Sequence, residues 1–334
     1  MIHSNSEGDI YIEEMPLLLV HLREEEKGAD ARLSEVLSYA LDGYAYETAT
    51  EISAFEDYVN RWRRLEKTQN RKNPVQGRIL FAVPLGTSGI NLELYRLIRF
   101  LREHPDFLNG FVGGLLVDSE NDLYSKSAAK DLVFAANCAG CAFVGRPLVE
   151  GTRTLSNYTI VSNNLGTDLM GAYRESAAGL VKEVLGTDCV RKKCPKVLVL
   201  HASSHKTSNT YAIWNRVKEQ LPEMEIREIG LRNGTLSDCA GCPYKMCLHF
   251  GEQGSCFYGG VMVEDVYPAV READAIVMLC PNYNDALSAN LTAFINRLTS
   301  LFRTTRFYDK ALFAVVVSGY SGSDIVAEQL IAAL

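Results

Sequence analysis

The sequence predicts an α/β protein whose strands form doubly wound parallel sheets covered by helices. From residue 78 onward, short apolar runs typical of buried strands alternate with segments whose apolar residues recur at helical spacing. A basic segment at residues 187–195 interrupts this alternation once. The 334 residues also suit two domains, since one domain typically has about 100–200 residues.

The N-terminal residues 1–75 are predicted to be a mixed helical lead-in. Residues 15–22 are the candidate strand there, because they form a nearly continuous apolar run. A helix is predicted over residues 31–41. A second helix is predicted to begin near Thr48, because Glu51 occurs three residues later and would complete a capping box.

Two α/β domains are predicted after this lead-in, residues 76–190 with an unclear role and residues 191–334 with the clearer pattern. The predicted strands are residues 78–83, 111–117, 142–144, 196–200, 225–229, 275–280 and 312–317. The predicted helices are residues 91–102, 127–136, 170–185, 210–221, 266–272, 288–302 and 325–334.

Composition excludes several classes of protein. With 47% hydrophobic and 22% charged residues, the chain is globular rather than disordered or collagenous. A net charge of −7 argues against a broad nucleic-acid-binding surface. We find no apolar run of the roughly 18 residues that cross a membrane and no signal-peptide pattern. A cytoplasmic location is therefore predicted, where cysteines serve as thiols or metal ligands.

A loop rich in hydroxyl groups comes after the predicted strand at residues 196–200. At the carboxyl end of a first parallel strand, such a loop meets ligands, and the next helix offers free N–H groups to a phosphate. The loop lacks both the dinucleotide and the triphosphate glycine motifs, so a monophosphate group is predicted. Its candidate binding residues are Ser203, Ser204, His205, Ser208, Asn209 and Thr210.

Two further loops end neighbouring predicted strands at the same edge. The second loop contains an aromatic ring suited to lie against a flat heterocycle, and the third contains small residues that let a ligand approach the backbone. The candidate binding residues in these loops are Pro281, Asn282, Tyr283, Asn284, Asp285, Ser318, Gly319 and Tyr320.

Residues 196–334 resemble the flavodoxin-like superfamily of NADPH-dependent FMN reductases and iron–sulfur flavoproteins. Ser203 and Asn209-Thr210 have the spacing of the family's phosphate loop. Pro281, Tyr283 and Ser288 match its second loop, and an amphipathic helix comes next, as in the family. The resemblance implies FMN as cofactor, NAD(P)H as hydride donor and a small-molecule or redox-protein acceptor.

The chain departs from the family pattern at several positions. His205 stands where the family usually has arginine, and Ser208 stands where it usually has glycine. Thr292 and Asn296 replace a lysine and an aspartate of the helix after the second loop. These departures leave FMN binding as the prediction but change how the phosphate would be held.

The resemblance also implies a flavodoxin-like doubly wound sheet for residues 191–334. The last strand and helix of that fold are missing from the pattern, so either the chain is a truncated product, or residues 15–22 or a partner chain complete the sheet. We therefore predict a homo-oligomer. Residues 76–190 resemble a degenerate second flavodoxin-like domain, and neither nucleic acid nor a membrane is predicted as a partner.

Four cysteines within eighteen residues suggest a thiolate site beside the flavin. They are Cys239, Cys242, Cys247 and Cys256. Thiolates suit iron–sulfur clusters and zinc. The family's cluster-binding members have a tighter spacing, so a [4Fe–4S] cluster, zinc and free thiols remain as alternatives.

The leading functional hypothesis is an FMN-dependent NAD(P)H oxidoreductase that reduces a quinone-like or other small acceptor. Such chemistry belongs to the cofactor and needs no acid–base side chain, so no catalytic residue is assigned. The first alternative is an iron–sulfur flavoprotein that transfers electrons to a protein partner. The second alternative is a zinc-stabilised binding module that has lost FMN.

Overall fold

The computed structural model describes residues 15–23, 27–68, 76–189, 192–203, 208–221 and 223–333. The chain divides into two compact units between Asp188 and Cys189. We call them unit 1 and unit 2, and each contains its own parallel sheet.

In the part of unit 1 that the structure describes, five parallel strands form one sheet with helices between them. The strands are β1 (Leu17–His21), β2 (Tyr46–Ala49), β3 (Gly77–Leu85), β4 (Phe111–Ser119) and β5 (Ala142–Gly151). The helices are α1 (Lys27–Ala40), α2 (Ile52–Thr68), α3 (Leu92–Glu103), α4 (Ser125–Cys138), α5 (Thr159–Leu165) and α6 (Leu169–Gly186). The strand order is β2-β1-β3-β4-β5, the order of flavodoxin-like sheets.

The side chain of Asn91 joins two strand ends of unit 1 to the start of α3. Its Oδ1 accepts a hydrogen bond from the Leu94 backbone N–H at 2.9 Å, which caps the helix. Its Nδ2 donates to the carbonyls of Leu22, after β1, and Pro84, in β3. The apolar face of α3 is buried against the sheet, so this one residue sets where helix and strands meet.

A buried ion pair crosses unit 1 between α1 and the end of β4. Asp118 is fully buried, and Arg32 donates to it from Nε at 2.9 Å and from Nη2 at 2.6 Å. Arg32 Nη2 also donates to the Ser119 carbonyl at 3.1 Å. Burial raises the pKa of Asp118, although the guanidinium opposes that shift.

Unit 2 is a sheet of four parallel strands within the described residues. The strands are β6 (Lys196–His201), β7 (Glu225–Gly230), β8 (Ala275–Pro281) and β9 (Ala311–Val317). The helices are α7 (Asn209–Lys218), α8 (Tyr244–Glu252), α9 (Tyr267–Glu272), α10 (Ala289–Leu301) and α11 (Ser323–Ala333). The strand order is β7-β6-β8-β9, and β6 and β8 carry a buried apolar core on both faces.

The predicted fold class is confirmed: both sheets are parallel, and helices alternate with their strands. The strand predicted at residues 15–22 also forms, as β1. It does not complete the sheet of unit 2, because it pairs with β2 and β3 in unit 1.

The predicted lead-in of residues 1–75 is not separate from the α/β domain next to it. Its described residues contain β1 and β2, which are hydrogen-bonded into the same sheet as β3. Thr48 lies inside β2 rather than at a helix start, and α2 begins at Ile52. The sequence of residues 69–77 has no apolar periodicity and predicts a linker, most of which lies outside the described residues.

None of the described helices is both long enough and apolar enough to cross a membrane.

Candidate functional site

The three predicted binding loops leave the same edge of the unit 2 sheet. The strand β6 pairs in parallel with β8, with His201 beside Leu279. The strand β8 pairs with β9, with Pro281 beside Val317. The chain order reverses between β6 and β8, which is the position where ligands bind in doubly wound sheets.

The first loop ends in a capped helix and contains a buried hydroxyl. Ser208 accepts a hydrogen bond from the Tyr211 N–H at 3.2 Å and so caps α7, which begins with Asn209. Thr210 is buried. The Oγ of Ser203 is buried and makes no hydrogen bond to the described residues. Two of the candidate residues, Ser204 and His205, lie outside the described residues.

The second loop turns tightly and presents its tyrosine to solvent. Asn284 and Asp285 both have left-handed backbone conformations, with φ of 55° and 54°. Tyr283 and Ala286 flank them as an antiparallel bridge, which is the geometry of a two-residue hairpin turn. Asn and Asp tolerate this conformation better than most residues. The side chain of Tyr283 is therefore 61% exposed beside the strand ends.

The second and third loops are locked together through Asn282. Its Nδ2 donates to Asp285 Oδ1 at 3.0 Å and to Ser318 Oγ at 3.1 Å, and its Oδ1 accepts from the Asp285 N–H at 2.8 Å. Gly322 has a φ of +94°, and a Cβ there would lie 1.9 Å from Asp285 Oδ1. Only glycine fits this close approach without strain.

The third loop otherwise leaves its aromatic side chain free of packing. Tyr320 is 97% exposed, and its backbone N–H donates to Ser318 Oγ at 3.3 Å. Gly319 is adjacent and has open space around it. The structure thus brings the candidate residues of the second and third loops into one connected group.

Ser288 adds a second buried hydroxyl at this edge. It occupies the cap position of α10, but its side chain makes no capping hydrogen bond. Its Oγ is buried and has no partner among the described residues. A buried hydroxyl without a hydrogen bond costs about 1–3 kcal/mol, so such groups usually face a ligand or water. Ser203 and Ser288 therefore fit a polar ligand held between the ends of β6 and β8.

Unit 1 has a different sequence at the corresponding strand end. The segment after β1 contains Glu24, Glu25 and Glu26, where the segment after β6 in unit 2 contains hydroxyl residues. Three adjacent carboxylates would repel a phosphate group. The chemistry of the donor set therefore favours unit 2 as the site for a phosphorylated cofactor.

The four predicted metal-binding cysteines are not gathered by the structure. Cys247 lies in α8, Cys256 packs against the unit 2 core, and Cys239 is exposed. Among the described residues no group of three or more His, Cys, Asp or Glu side chains is placed to hold a metal ion. The described residues therefore do not form a site that fits a [4Fe–4S] cluster or zinc.

Cysteine labelling of the native protein tests this arrangement. We expect iodoacetamide to modify Cys239, which is exposed, at least about a hundredfold faster than Cys280. Burial raises the pKa of the Cys280 thiol to about 12, so almost none of it is thiolate at neutral pH. Mass spectrometry of the peptides over time measures both rates, and labelling in denaturant is the control. Equal rates in the native protein would contradict the structure.

Polar residues of α10 hold the cysteine-containing loop, residues 231–260, and were not predicted to do so. Asn290 Nδ2 donates to the Leu231 carbonyl at 2.7 Å. Asn296 Nδ2 donates to Asp238 Oδ1 at 2.9 Å. The buried Arg297 donates from Nη2 to the Gly259 carbonyl at 2.8 Å. The feature of the sequence that could have predicted these contacts is Arg297, an arginine on the apolar face of an amphipathic helix.

Residues 195–334 match the family model of the NADPH-dependent FMN reductases. The resemblance and the flavodoxin-like fold class predicted for the C-terminal part are thereby confirmed. No curated protein matches the chain.

One solved structure that the chain matches is described as showing a glucosamine N-acetyltransferase region in a fungal multi-domain beta-N-acetylglucosaminidase. It shares 10% identity with a TM-score of 0.18, over 89% of this chain and 41% of that chain. The chain thus spans less than half the length of that structure, and so poor a superposition carries no argument about fold or function.

Proposed function

We propose that the protein is an FMN-dependent oxidoreductase that takes hydride from NAD(P)H and reduces a small acceptor of the quinone type. The observation that carries this proposal is the pair of buried hydroxyls of Ser203 and Ser288 at the strand ends of unit 2, neither of which makes a hydrogen bond to the described residues. They lie within the residues that match the FMN reductase family.

The first loop would hold the phosphate end of the cofactor. Ser203 offers a hydroxyl donor, and α7 begins at Asn209 with backbone N–H groups in its first turn. The positive end of the helix dipole adds attraction for an anion. These groups need no arginine, which is consistent with the absence of one at position 205.

The second and third loops would hold the flat ring. Tyr283 and Tyr320 present exposed aromatic side chains from loops that Asn282 ties together. The backbone between Pro281 and Asp285 turns tightly and offers N–H and carbonyl groups to the polar edge of a heterocycle. When bound, FMN supplies the hydride- and electron-transfer chemistry.

Steady-state kinetics of the whole chain test the activity. We expect NADPH oxidation to require added FMN and to become faster when a quinone is present. The nicotinamide absorbance measures the first step, and quinone absorbance measures the second. A protein that binds FMN but does not oxidise NADPH or NADH would overturn the proposal.

Replacing Ser203 or Ser288 by alanine should weaken FMN binding without destabilising the fold. We expect S203A to raise the FMN dissociation constant about tenfold to a hundredfold, since a hydrogen bond to a charged group is worth about 1.5–3 kcal/mol. We expect S288A to raise it about threefold to tenfold, as for a neutral hydrogen bond. Fluorescence titration of FMN measures both constants.

For the same two variants we also predict the free energy of unfolding in the absence of FMN. Removing a buried hydroxyl that has no partner should leave the free energy of unfolding unchanged or raise it. The matched control is S176A in unit 1, where the hydroxyl donates to the Ala172 carbonyl at 2.8 Å. We expect S176A to leave FMN affinity unchanged. Destabilised S203A and S288A proteins with normal FMN affinity would assign these serines to structure alone.

A further inference from the structure

Arg232 lies at the carboxyl edge of the unit 2 sheet, two residues after the end of β7. Its side chain is exposed, and it forms no ion pair with any of the described residues. A guanidinium keeps its charge at any physiological pH. This arginine therefore brings an uncompensated positive charge to the edge from which the three predicted binding loops leave.

The side chain of Arg232 lies on the face of the sheet that α7 covers. Leu231 is fully buried in the core on the other face, and successive side chains of an extended segment point to opposite faces. A Cβ at Gly230 would lie 3.7 Å from Arg232 Nε and 3.3 Å from His201 Cε1. The His201 ring in turn lies 5.2 Å from the ring of Tyr211 in α7. The guanidinium and the His201 ring therefore share the α7 face.

The pairing of β6 with β7 places Arg232 next to the first binding loop. The two strands are parallel, with His201 beside Gly230. The Leu231 N–H then donates to the His201 carbonyl at 2.7 Å, one step beyond the end of β7. Ser203 and Arg232 come two residues after the His201–Gly230 pair, each on its own strand. The arginine thus leaves the sheet beside the buried hydroxyl that is proposed to hold the phosphate.

The backbone that carries Arg232 is fixed by hydrogen bonds on both sides. Asn290, in the first turn of α10, donates to the Leu231 carbonyl at 2.7 Å and to Asn233 Oδ1 at 2.9 Å. The carbonyl of Arg232 accepts from the Thr235 N–H at 3.3 Å and from its hydroxyl at 2.9 Å. Ligand binding would therefore order the arginine side chain alone, which keeps the entropic cost small.

The carboxylates closest to Arg232 along the chain have partners of their own. Glu228, four residues earlier, accepts from Lys218 at 2.8 Å. Asp238, six residues later, accepts from Asn296 at 2.9 Å. Neither carboxylate competes with an anionic ligand for the guanidinium.

We propose that Arg232 binds the phosphate group of FMN and makes unit 2 selective for the phosphorylated flavin. This inference rests on the proposed function, because it assigns a residue to the same cofactor. His205 stands where the family usually has arginine, and Arg232 supplies from the neighbouring strand the charge that this loop lacks. A planar guanidinium donates two parallel hydrogen bonds to phosphate oxygens, which adds to the Ser203 hydroxyl and the N–H groups of α7.

Fluorescence titration of the whole chain with FMN and with riboflavin, which lacks the phosphate, tests the proposal. We expect R232Q to raise the FMN dissociation constant about tenfold to a hundredfold and to leave the riboflavin constant within about twofold. R232K keeps the charge without the paired donors and should recover part of the FMN affinity. The matched control is R216Q, which removes an exposed arginine from the last turn of α7 and should leave both constants within about twofold.

Chemical modification of the wild-type protein adds a test that needs no variant. Phenylglyoxal reacts with exposed arginines, and saturating FMN should slow its reaction with Arg232 at least about tenfold, because the bound phosphate shields the guanidinium. Riboflavin should give no such protection, and neither ligand should protect Arg216. Mass spectrometry of the peptides measures the rates, and circular dichroism checks the fold of every variant.

Two results would overturn this inference and leave the proposed function intact. In the first, the wild-type protein binds FMN, but R232Q changes the FMN and riboflavin constants equally or changes neither. In the second, Arg232 reacts with phenylglyoxal equally fast with and without bound FMN. A wild-type protein that binds no FMN would instead overturn the proposed function and this inference together.

Discussion

Replacing Arg32 by alanine should lower the free energy of unfolding of unit 1 by about 3–5 kcal/mol, because removing one partner of a buried ion pair leaves a buried charge without compensation. Asp118 is fully buried and receives hydrogen bonds from two nitrogens of Arg32. Urea unfolding at neutral pH, monitored by far-ultraviolet circular dichroism, measures the change.

The loss of unfolding free energy in R32A should become smaller as the pH falls. Burial already raises the pKa of Asp118, and without Arg32 the pKa should rise further. When the pKa of a carboxyl is higher in the folded state than in the unfolded state, protonation of that carboxyl favours folding. The loss of unfolding free energy in R32A is therefore largest at a pH above the pKa of Asp118 in the folded state. It should shrink as the pH falls toward the ordinary aspartate range of about 4.

A matched variant separates the buried pair from an exposed one. Arg99 pairs with Glu103 one turn away on α3, and both side chains are largely exposed. We expect R99A to cost less than about 0.5 kcal/mol, as is usual for an exposed helix pair. Equal effects of R32A and R99A would contradict the burial that the structure assigns to Asp118.

Alanine at Gly322 should disrupt the binding edge of unit 2 and raise the FMN dissociation constant at least about tenfold. The new Cβ would lie 1.9 Å from Asp285 Oδ1, and the left-handed backbone adds about 1–2 kcal/mol of strain for any residue with a Cβ. Asp285 would have to move, which breaks its hydrogen bonds to Asn282. Fluorescence titration of FMN measures the change.

A glycine outside the binding loops is the control. Gly179 lies in α6 of unit 1, has no heavy atom within 4 Å of an added Cβ and has no left-handed backbone. We expect G179A to bind FMN within about twofold of the wild-type protein. If G322A and G179A bind FMN equally well, the contact between the second and third loops does not shape the site.

The fold class could be predicted because the central strands are buried on both faces and appear in the sequence as apolar runs. The edge strand β2 was missed because its four residues, Tyr46–Ala49, are mostly polar and exposed. Thr48 and Glu51 have the spacing of a capping box, but Thr48 pairs with β1 and so lies in a strand. Pairing partners lie far apart along the chain, so the sequence could show that β1 is a strand but not which sheet it joins.

The three loops could be singled out from their residue types and from the spacing between Ser203 and Asn209, and their binding role stays a prediction. Their mutual contacts could not be predicted, since Asn282 and Ser318 are 36 positions apart. The sequence also could not predict that the Ser288 hydroxyl is buried without a capping hydrogen bond, because a serine before a helix normally caps that helix. The cysteine spacing suggested a metal site, but among the described residues these side chains form no group that is placed to hold a metal ion.

The most direct measurement is the visible absorption spectrum of the whole protein, loaded with FMN without oxygen and then mixed with NADPH. FMN bound at the strand ends of unit 2 predicts shifted flavin bands at one equivalent per chain, which NADPH then bleaches. S203A should reach the same spectrum only at higher FMN concentration. A protein that stays colourless and takes up no FMN would contradict the proposed site and the proposed function together.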